Sequence, residues 1–325
     1  MFENQLYMRR CLELASLGAG YVAPNPMVGA VIVCNGLIIG EGFHRRYGDA
    51  HAEANAINTV KNKELLKRST LYVNLEPCAH QGKTPPCADL IIQSGIPRVV
   101  IGCLDPNPLV AGKGNEKLRA AGIEVIENVL MEESKNLNIR FITYHSKKRP
   151  YVTLKWAQTA DGYIDVKRDN TIVGRPTWIT GWYEQTLVHK WRSQEQAVMV
   201  GTNTAVADNP MLNIRKWHGK QPLRITIDQQ MRLPQTLNIF DEKQPTLIFT
   251  QKEQPNTIYA NVSFDEKLAQ NILNELFKRK IISVLIEGGT RLLQTFIDAG
   301  LWDEARVFTG VVKFGEGVKA PEIRV

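Results

Sequence analysis

Three side chains that suit a zinc ion, His51, Cys78 and Cys87, constrain this chain more than any other feature of its sequence. One imidazole and two thiolates can hold Zn²⁺ and leave a fourth position for water, as in a catalytic zinc site. Glu53 lies two residues after His51, so on an ideal helix these two side chains point apart. They converge only at the first turn of a helix whose N-terminus faces the metal. The fold must therefore bring a helix start and strand ends to this site.

Glu53 adds a group that can carry protons beside the metal. Zinc lowers the pKa of a bound water to about 7, and the hydroxide can attack an amidine-like ring carbon and expel ammonia. The signature of zinc nucleobase deaminases is His-x-Glu followed by Pro-Cys-x-x-Cys. Here the first half is intact, but the eight residues Ala79 to Pro86 separate the two cysteines. The sequence predicts a zinc-dependent deaminase with a long loop between its thiolate ligands.

Longer runs of residues in both halves carry a family resemblance. Ala79 to Cys87 reads Ala-His-Gln-Gly-Lys-Thr-Pro-Pro-Cys, and Pro24 to Val33 reads Pro-Asn-Pro-Met-Val-Gly-Ala-Val-Ile-Val. The second half contains the motifs Lys155–Gly162, Trp178–Gly181, Gly201–Thr204, Asp208–Leu212 and Glu287–Gly289. In this order they resemble the RibD family of bifunctional riboflavin biosynthesis proteins over nearly the whole chain. The resemblance implies an α/β protein, with a cytidine-deaminase-like three-layer α/β/α N-terminal domain followed by a dihydrofolate-reductase-like α/β domain.

The resemblance also implies two reactions on one pyrimidine. The first half would hydrolytically deaminate 2,5-diamino-6-(5-phosphoribosylamino)pyrimidin-4(3H)-one. The second would reduce the ribosyl side chain with NADPH to give 5-amino-6-(5-phosphoribitylamino)uracil. The choice of NADPH over NADH rests on the resemblance, because the sequence names no single arginine for a 2′-phosphate.

Site residues follow from the same resemblance. Near the pyrimidine and its phosphate it places Asn25, His44 and Lys83, which can equally be a turn-forming Asn, a surface His and a solvated Lys. On the substrate side of the reductase it places Lys155, Arg192, Asp208, Leu212, Arg215 and Glu287, with the two arginines suited to a ribose phosphate. Along the cofactor it places Ala157, Trp178, Thr204, Gly288, Gly289, Thr290 and Arg291. Trp178 can equally belong to the core.

Gly288 and Gly289 also have a physical interpretation of their own. They link a buried strand to a helix, so bare backbone N–H groups and a helix N-terminus could seat a phosphate. The dipeptide alone is more typical of a plain tight turn. No G-x-G-x-x-G motif is present, which disfavours a Rossmann dinucleotide site.

Three features depart from the family pattern. Pro176 stands where the family often has a serine that touches substrate, and it offers no hydroxyl. The interval from Tyr163 to Pro176 is longer than usual and carries five charged residues, which indicates a mobile rim loop. The chain ends at Val325, shorter than the family leads us to expect, so we expect the last strand of the second domain to be missing or divergent.

Length and patterning favour two domains. A chain of 325 residues exceeds what one core usually serves, and 43% hydrophobic residues suffice for two cores. Strand and helix patterns alternate in both halves. A helical pattern over 128–141 is followed by charge and proline at 144–150, so we predict domains over residues 1–145 and 150–325.

Charge and cysteine content limit the partners. The net charge of +7 comes from scattered residues, which favours a phosphorylated small molecule over a nucleic acid. No run approaches the ~20 apolar residues of a membrane span. Five cysteines, an odd number, suit metal ligation in the reducing cytoplasm, with Cys11, Cys34 and Cys103 in the core. The oligomeric state, a homo-oligomer included, stays open.

Two other classes of protein could also contain these zinc ligands. A tRNA- or DNA-editing deaminase would need aromatic and basic contacts around a flipped base, and it leaves the second half of the chain unexplained. A structural zinc module would need a fourth protein ligand and no Glu53. His80 is the nearest candidate for that ligand, and we interpret it as a substrate-side residue.

Overall fold

The computed structural model describes residues 2–79, 86–107, 111–168, 176–253 and 258–323. The chain divides into two units, Met1–Lys147 and Lys148–Val325. Each unit has a sheet and a hydrophobic core of its own.

The first unit is built on a five-stranded sheet. Its strands are β1 (Gly29–Cys34), β2 (Leu37–Phe43), β3 (Thr70–Leu75), β4 (Arg98–Cys103) and β5 (Glu124–Ile126). They lie in the order β2-β1-β3-β4-β5, with β1 antiparallel to both neighbours and the rest parallel. β1 and β2 form a hairpin around Asn35 and Gly36, which both have positive φ, as a two-residue type I′ turn requires.

Helices cover both faces of this sheet. They are α1 (Phe2–Ser16), α2 (Ala52–Thr59), α3 (Cys87–Gln93), α4 (Lys113–Ala120), α5 (Met131–Leu137) and α6 (Ile139–Lys147), with a 3-10 helix at Lys63–Arg68. Ala30 and Ile32 of β1 pack toward α2 and α3, while Val31 and Val33 pack toward α1. This alternation follows from the two-residue period of a strand. The predicted three-layer α/β/α arrangement is confirmed.

The end of the first unit differs from the prediction. A helix was expected over 128–141, with a break in the charged segment from 144, but α5 begins at Met131, stops at Asn138 and is followed by α6. The Asn138 side chain accepts a hydrogen bond from the Met27 N–H (2.8 Å) and donates to the Met27 carbonyl (2.9 Å). The interruption is thus set by a distant partner. Charged residues do not end α6 before Lys147, because its outer face is exposed.

The second unit is built on a seven-stranded parallel sheet. Its strands are β6 (Tyr151–Gln158), β8 (Ala197–Val200), β9 (Leu223–Ile227), β10 (Thr246–Thr250), β11 (Tyr259–Asn261), β12 (Ser283–Ile286) and β13 (Glu304–Thr309), and a separate antiparallel pair joins β7 (Tyr163–Asp165) to β14 (Val318–Lys319). The order in the sheet is β11-β10-β9-β8-β12-β6-β13. The buried strands read as continuous apolar runs, as expected where helices cover both faces.

The connections place a crevice at the carboxyl ends of β8 and β12. The helices are α7 (Trp182–Gln194), α8 (Thr202–Asp208), α9 (Leu268–Lys278) and α10 (Thr290–Asp298), with a 3-10 helix at Asn238–Phe240. From β8 the chain moves outward to β11 and then returns to β12, beside β8. Ligands of open α/β sheets bind at such a change of direction. In the described part of the chain, no helix has the length and apolar character needed to cross a membrane.

Candidate functional site

The donor atoms of His51, Cys78 and Cys87 come together in the first unit. They all lie within 4.8 Å of one another. His51 Nδ1 is 3.6 Å from Cys78 Sγ and 3.3 Å from Cys87 Sγ. In a tetrahedral zinc site, bonds of about 2.0 Å to nitrogen and 2.3 Å to sulfur place these donor atoms about 3.6 Å apart. The three side chains therefore fit zinc and offer three of its four usual donors.

Each of the three residues is held where a regular element begins or ends. His51 is the N-cap of α2, Cys78 follows β3, and Cys87 is the first residue of α3. The Cys87 N–H donates to Cys78 Sγ (3.3 Å), and the Ala88 N–H donates to the Cys78 carbonyl (3.1 Å). The hydrogen bond with Cys87 lowers the pKa of Cys78 to about 4, while Cys78 raises the pKa of Cys87. The pair therefore gives up one proton readily, as metal ligation requires.

The approach of α2 to β2 depends on Gly42. A Cβ atom at this position would lie 2.3 Å from the backbone nitrogen of Ala56, which is too close for any side chain. A larger residue would push α2 outward, and His51 and Glu53 would move with it. The glycine thus fixes the distance between the start of α2 and the thiolates.

Glu53 lies in the first turn of α2, as the sequence predicted, and is only 3% exposed. Burial, together with the negative charge of Cys78, raises its pKa. A carboxyl group with a raised pKa holds a proton more readily, so it can accept and then donate one during a reaction. Glu53 is therefore suited to proton transfer beside the three donor atoms.

Asn25 and His44 form a pair next to the zinc site. Asn25 Nδ2 lies 3.0 Å from His44 Nε2, and His44 Nδ1 lies 3.1 Å from the Ala50 carbonyl. With the proton on Nδ1, His44 donates to Ala50 and accepts from Asn25. The ring is 2% exposed, so it is not a surface histidine, and burial lowers its pKa. His44 thus orients the Asn25 amide, while Lys83 and His80 lie outside the described residues.

Glu76 is a site residue that sequence reasoning missed. Its buried carboxylate accepts hydrogen bonds from the backbone N–H groups of Asp105, Gly112, Gly114 and Asn115 (2.9–3.4 Å). The segment after β4 is therefore tied to the residue two positions before Cys78. Burial raises the pKa of Asp105 to about 6, with Glu76 and Cys78 adding to the effect. The only sequence signal was an acidic residue at the exit of a buried strand.

In the second unit, a cavity of about 510 Å³ gathers most of the predicted reductase residues. Its lining includes Lys155, Ala157, Trp178, Arg192, Thr204, Asp208, Leu212, Arg215, Glu287, Gly288 and Gly289. A second cavity, of about 730 Å³, contains the remaining two, Thr290 and Arg291. Both cavities include Thr204, Asp208 and Gly289 in their linings, so they adjoin. They lie at the crevice formed by the ends of β8 and β12.

Charged groups in the first cavity are organised around Glu287. Arg192 makes a bidentate pair with it (2.6 and 2.8 Å) and also donates to the Asn213 carbonyl. Burial alone would raise the pKa of Glu287, but Arg192 and Lys155 outweigh burial and lower it. Burial lowers the pKa of Lys155. The two arginines predicted to bind phosphate therefore differ in availability, because Arg192 is already paired with the Glu287 carboxylate.

Features of both cavities suit a dinucleotide and a sugar. Asp208 Oδ1 is buried and pairs with the Arg168 guanidinium at 3.2 Å, but no described donor reaches it with hydrogen-bond geometry, so it can accept a hydrogen bond from a ligand hydroxyl. Gly289 has φ +80°, and a Cβ there would lie 3.1 Å from the Thr204 hydroxyl, so bare backbone faces Thr204. Trp178 is 58% exposed at the rim and is not a core residue.

Two family models match the chain. Residues 1–103 match the cytidine and deoxycytidylate deaminase zinc-binding region, and residues 150–322 match the RibD C-terminal domain. The fold and the two sites define a zinc-binding deaminase joined to a reductase.

Similar proteins agree over nearly the full length. The riboflavin biosynthesis protein RibD of Aquifex aeolicus is 42% identical over 98% of this chain and 90% of its own length. The crystal structure of a diaminohydroxyphosphoribosylaminopyrimidine deaminase/5-amino-6-(5-phosphoribosylamino)uracil reductase from Thermotoga maritima is 44% identical, with a TM-score of 0.88 over 98% of this chain and 89% of that one. The structure of Acinetobacter baumannii RibD is 36% identical, with a TM-score of 0.90 over 98% of this chain and 89% of that one. The chain belongs to the RibD family of bifunctional deaminases and reductases of riboflavin biosynthesis.

Proposed function

We propose that the two halves act in succession on one phosphorylated pyrimidine. The first hydrolyses the 2-amino group of 2,5-diamino-6-(5-phosphoribosylamino)pyrimidin-4(3H)-one, and the second reduces the ribosyl side chain to give 5-amino-6-(5-phosphoribitylamino)uracil. The observation that carries the proposal is the group of three zinc donors beside the buried Glu53. An editing deaminase is disfavoured because it gives no role to the cavities of the second unit.

In the deaminase, His51, Cys78 and Cys87 hold zinc. Zinc, when bound, supplies Lewis-acid activation of a water molecule. Glu53 accepts the proton of that water and passes it to the departing amino group, which leaves as ammonia. Asn25, oriented by His44, hydrogen-bonds the pyrimidine, and Lys83 contacts its phosphate. The water oxygen replaces the amino nitrogen on the ring.

In the reductase, NADPH, when bound, would supply the hydride for the open-chain sugar carbon. Glu287, Asp208 and Leu212 contact the substrate, and the residues from Gly288 to Arg291, with Ala157, Trp178 and Thr204, contact the cofactor. Lys155 is half-buried in the cavity that Glu287 also lines, and desolvation lowers its pKa, so it can move the proton that balances the hydride. Arg215 binds the sugar phosphate, while Arg192 holds Glu287 in place and approaches the phosphate with its remaining donors.

We assign the deaminase to residues 1–145 and the reductase to residues 150–325. The thiolate ligands require a reducing compartment, so we place the enzyme in the cytoplasm. A homo-oligomer is compatible with this assignment.

The test uses the purified full chain with the diaminopyrimidine substrate. We expect ammonia release without NADPH, and NADPH oxidation only after deamination or when deaminated pyrimidine is supplied. Bound zinc, measured by mass spectrometry, should fall with ammonia release on chelation. Zinc binding without ammonia release would contradict the deaminase assignment.

A further inference from the structure

Arg168 joins four groups from three separate segments of the second unit. Its Nη2 atom donates to Asp165 Oδ1 (2.9 Å) and to the Thr177 hydroxyl (3.1 Å). Its Nη1 atom donates to the Ala207 carbonyl at the end of α8 (3.2 Å). The same guanidinium lies 3.2 Å from Asp208 Oδ1 as an ion pair. The Arg168 side chain is 12% exposed, so this is not a solvated surface pair.

The position of Arg168 relates this cluster to the active site. Arg168, Asp165 and Asp208 line both cavities of the second unit. The Thr177 hydroxyl donates in turn to Asp165 (2.7 Å), so it is committed to the cluster and does not replace the hydroxyl absent from Pro176. At the boundary of the two cavities, one guanidinium therefore links the carboxylates of Asp165 and Asp208.

We propose that Arg168 is a positioning residue of the reductase, which holds the Asp208 carboxylate at the boundary of the two cavities so that it can accept hydrogen bonds from the sugar hydroxyls. The inference rests on the proposed function, in which Asp208 contacts substrate. Arg168 acts through Asp208 and does not touch the reacting carbon. Arg168 lies in the long interval from Tyr163 to Pro176, so the proposal gives one charge of that interval a role.

Charge gives the arrangement a measurable signature. Burial raises the pKa of Asp208, and Arg168 opposes that effect, whereas Asp165 adds to it. The same cavity contains other titratable or charged groups, which are identical in all the variants tested: Lys155, His189, Arg192, Arg215 and Glu287. Removing the Arg168 cation should raise the pKa of Asp208 further, so that the carboxylate is protonated at a higher pH. The acid limb of the reductase pH profile should move in the same direction.

The experiment compares R168M, R168K and K167M with the wild-type chain. K167M is the matched control, because Lys167 is an exposed neighbour and the same charge is lost. Reduction of deaminated pyrimidine by NADPH is followed against pH, and KM and kcat are separated. For R168M we expect KM to rise at least ~10-fold near pH 7, as for a lost hydrogen bond to a charged group. The acid limb of the kcat/KM profile should move to a pH about one unit higher, and at high pH the kcat/KM of R168M should approach the wild-type value.

The variants R168K and K167M separate the effect of the Arg168 charge from other effects of the substitution. R168K should keep the acid limb near its wild-type position while KM still rises, because the charge remains but the fork of donors is lost. K167M should match the wild type. An unshifted limb in R168M, or an equal shift in K167M, would overturn the proposal.

Two further outcomes are decided by the same assay. Ammonia release, which uses the other unit, reports the amount of active protein in every sample. If R168M does not fold, R168Q replaces it, because glutamine also removes the charge but keeps a donor, and an unshifted limb there would equally overturn the proposal. An inactive wild-type reductase would overturn the proposed function itself, which distinguishes that failure from a failure of the Arg168 inference.

Discussion

Glu53 is the residue on which the deaminase chemistry depends. Its carboxyl is buried at the start of α2, beside three metal donors, and its pKa is raised. In E53Q the shape and the donors are retained but the proton carrier is lost. We expect zinc content to stay at the wild-type level while ammonia release falls at least ~10²-fold, the usual scale for a lost general acid or base.

The matched control for E53Q is E64Q, which changes an exposed glutamate in the 3-10 helix of the same unit. It should release ammonia at the wild-type rate. Retained activity in E53Q, measured with zinc present, would show that another group carries the proton.

His189 gives a prediction for the pH dependence of stability. Burial, with Arg192 and Arg215 nearby, lowers its pKa to about 4, against about 6.5 for an unperturbed histidine. Below pH 6.5 the unfolded chain takes up a proton that the folded chain does not. His189 therefore leaves stability unchanged above pH 6.5 and destabilises the folded state progressively as the pH falls toward 4, by up to about 3 kcal/mol.

The measurement is the free energy of unfolding of the second unit in urea, with H189N as the comparison. H189N should lose less stability than the wild type between pH 6.5 and pH 4.5. Parallel pH dependences of the two proteins would mean that the His189 ring is protonated in the folded state.

At the scale of single residues, the zinc donors could be predicted because imidazole and thiolate side chains are typical zinc ligands. To place these donors beside Glu53, it was enough to predict where a helix begins and where a strand ends. Glu76 could not be found in this way. Its role depends on backbone N–H groups of a segment 29 to 39 residues further along the chain.

At the scale of elements, Glu76 connects β3 to the segment that precedes α4. In E76Q, one carboxylate oxygen becomes an NH₂ group that faces backbone N–H donors, so at least one of the four hydrogen bonds must break. We expect KM for the diaminopyrimidine to rise ~10-fold, as for hydrogen bonds to a charged group, because Asp105 loses its position near Cys78. The reductase half-reaction should be unchanged.

The control for E76Q is E116Q, an exposed acid in the first turn of α4. It leaves the Glu76 network intact, so its KM should equal that of the wild type. If both variants behaved alike, the charge near α4 would matter rather than the hydrogen bonds of Glu76.

Elements of the second sheet show where sequence patterns suffice. β8, β9 and β12 are short, largely apolar runs between turn residues, a pattern that indicates buried strands. The helix α8 (Thr202–Asp208) was missed, since its small and polar residues carry no apolar period. β7 and β14 were missed because each is stabilised chiefly by pairing with the other, more than 150 residues away.

At the scale of the whole molecule, the two units contain separate chemistries, and variants of each should leave the other intact. C87S replaces a thiolate with a poorly ionised hydroxyl, so zinc should be lost and ammonia release should fall at least ~10²-fold. Reduction of supplied deaminated pyrimidine should continue near the wild-type rate. Both half-reactions are measured on each variant.

The reciprocal variants, D208N and E287Q, complete this test. They should slow NADPH oxidation and spare ammonia release, because they alter only the cavity of the second unit. If chelation of zinc abolished the reductase without unfolding the second unit, the two chemistries would not be independent.

The order of strands in the second sheet affects how the chain is synthesised. β6 leaves the ribosome first among the seven strands, yet its two neighbours in the sheet, β12 and β13, leave last. The buried pair between Arg149 and Asp303 spans the same interval. The first unit, by contrast, has all five strands by Ile126. Because domains fold as units from the N-terminus during translation, the metal-binding half can fold while the apolar strand β6 still lacks both of its neighbours in the sheet. The surface of β6 that those neighbours cover is therefore exposed to aggregation over that interval.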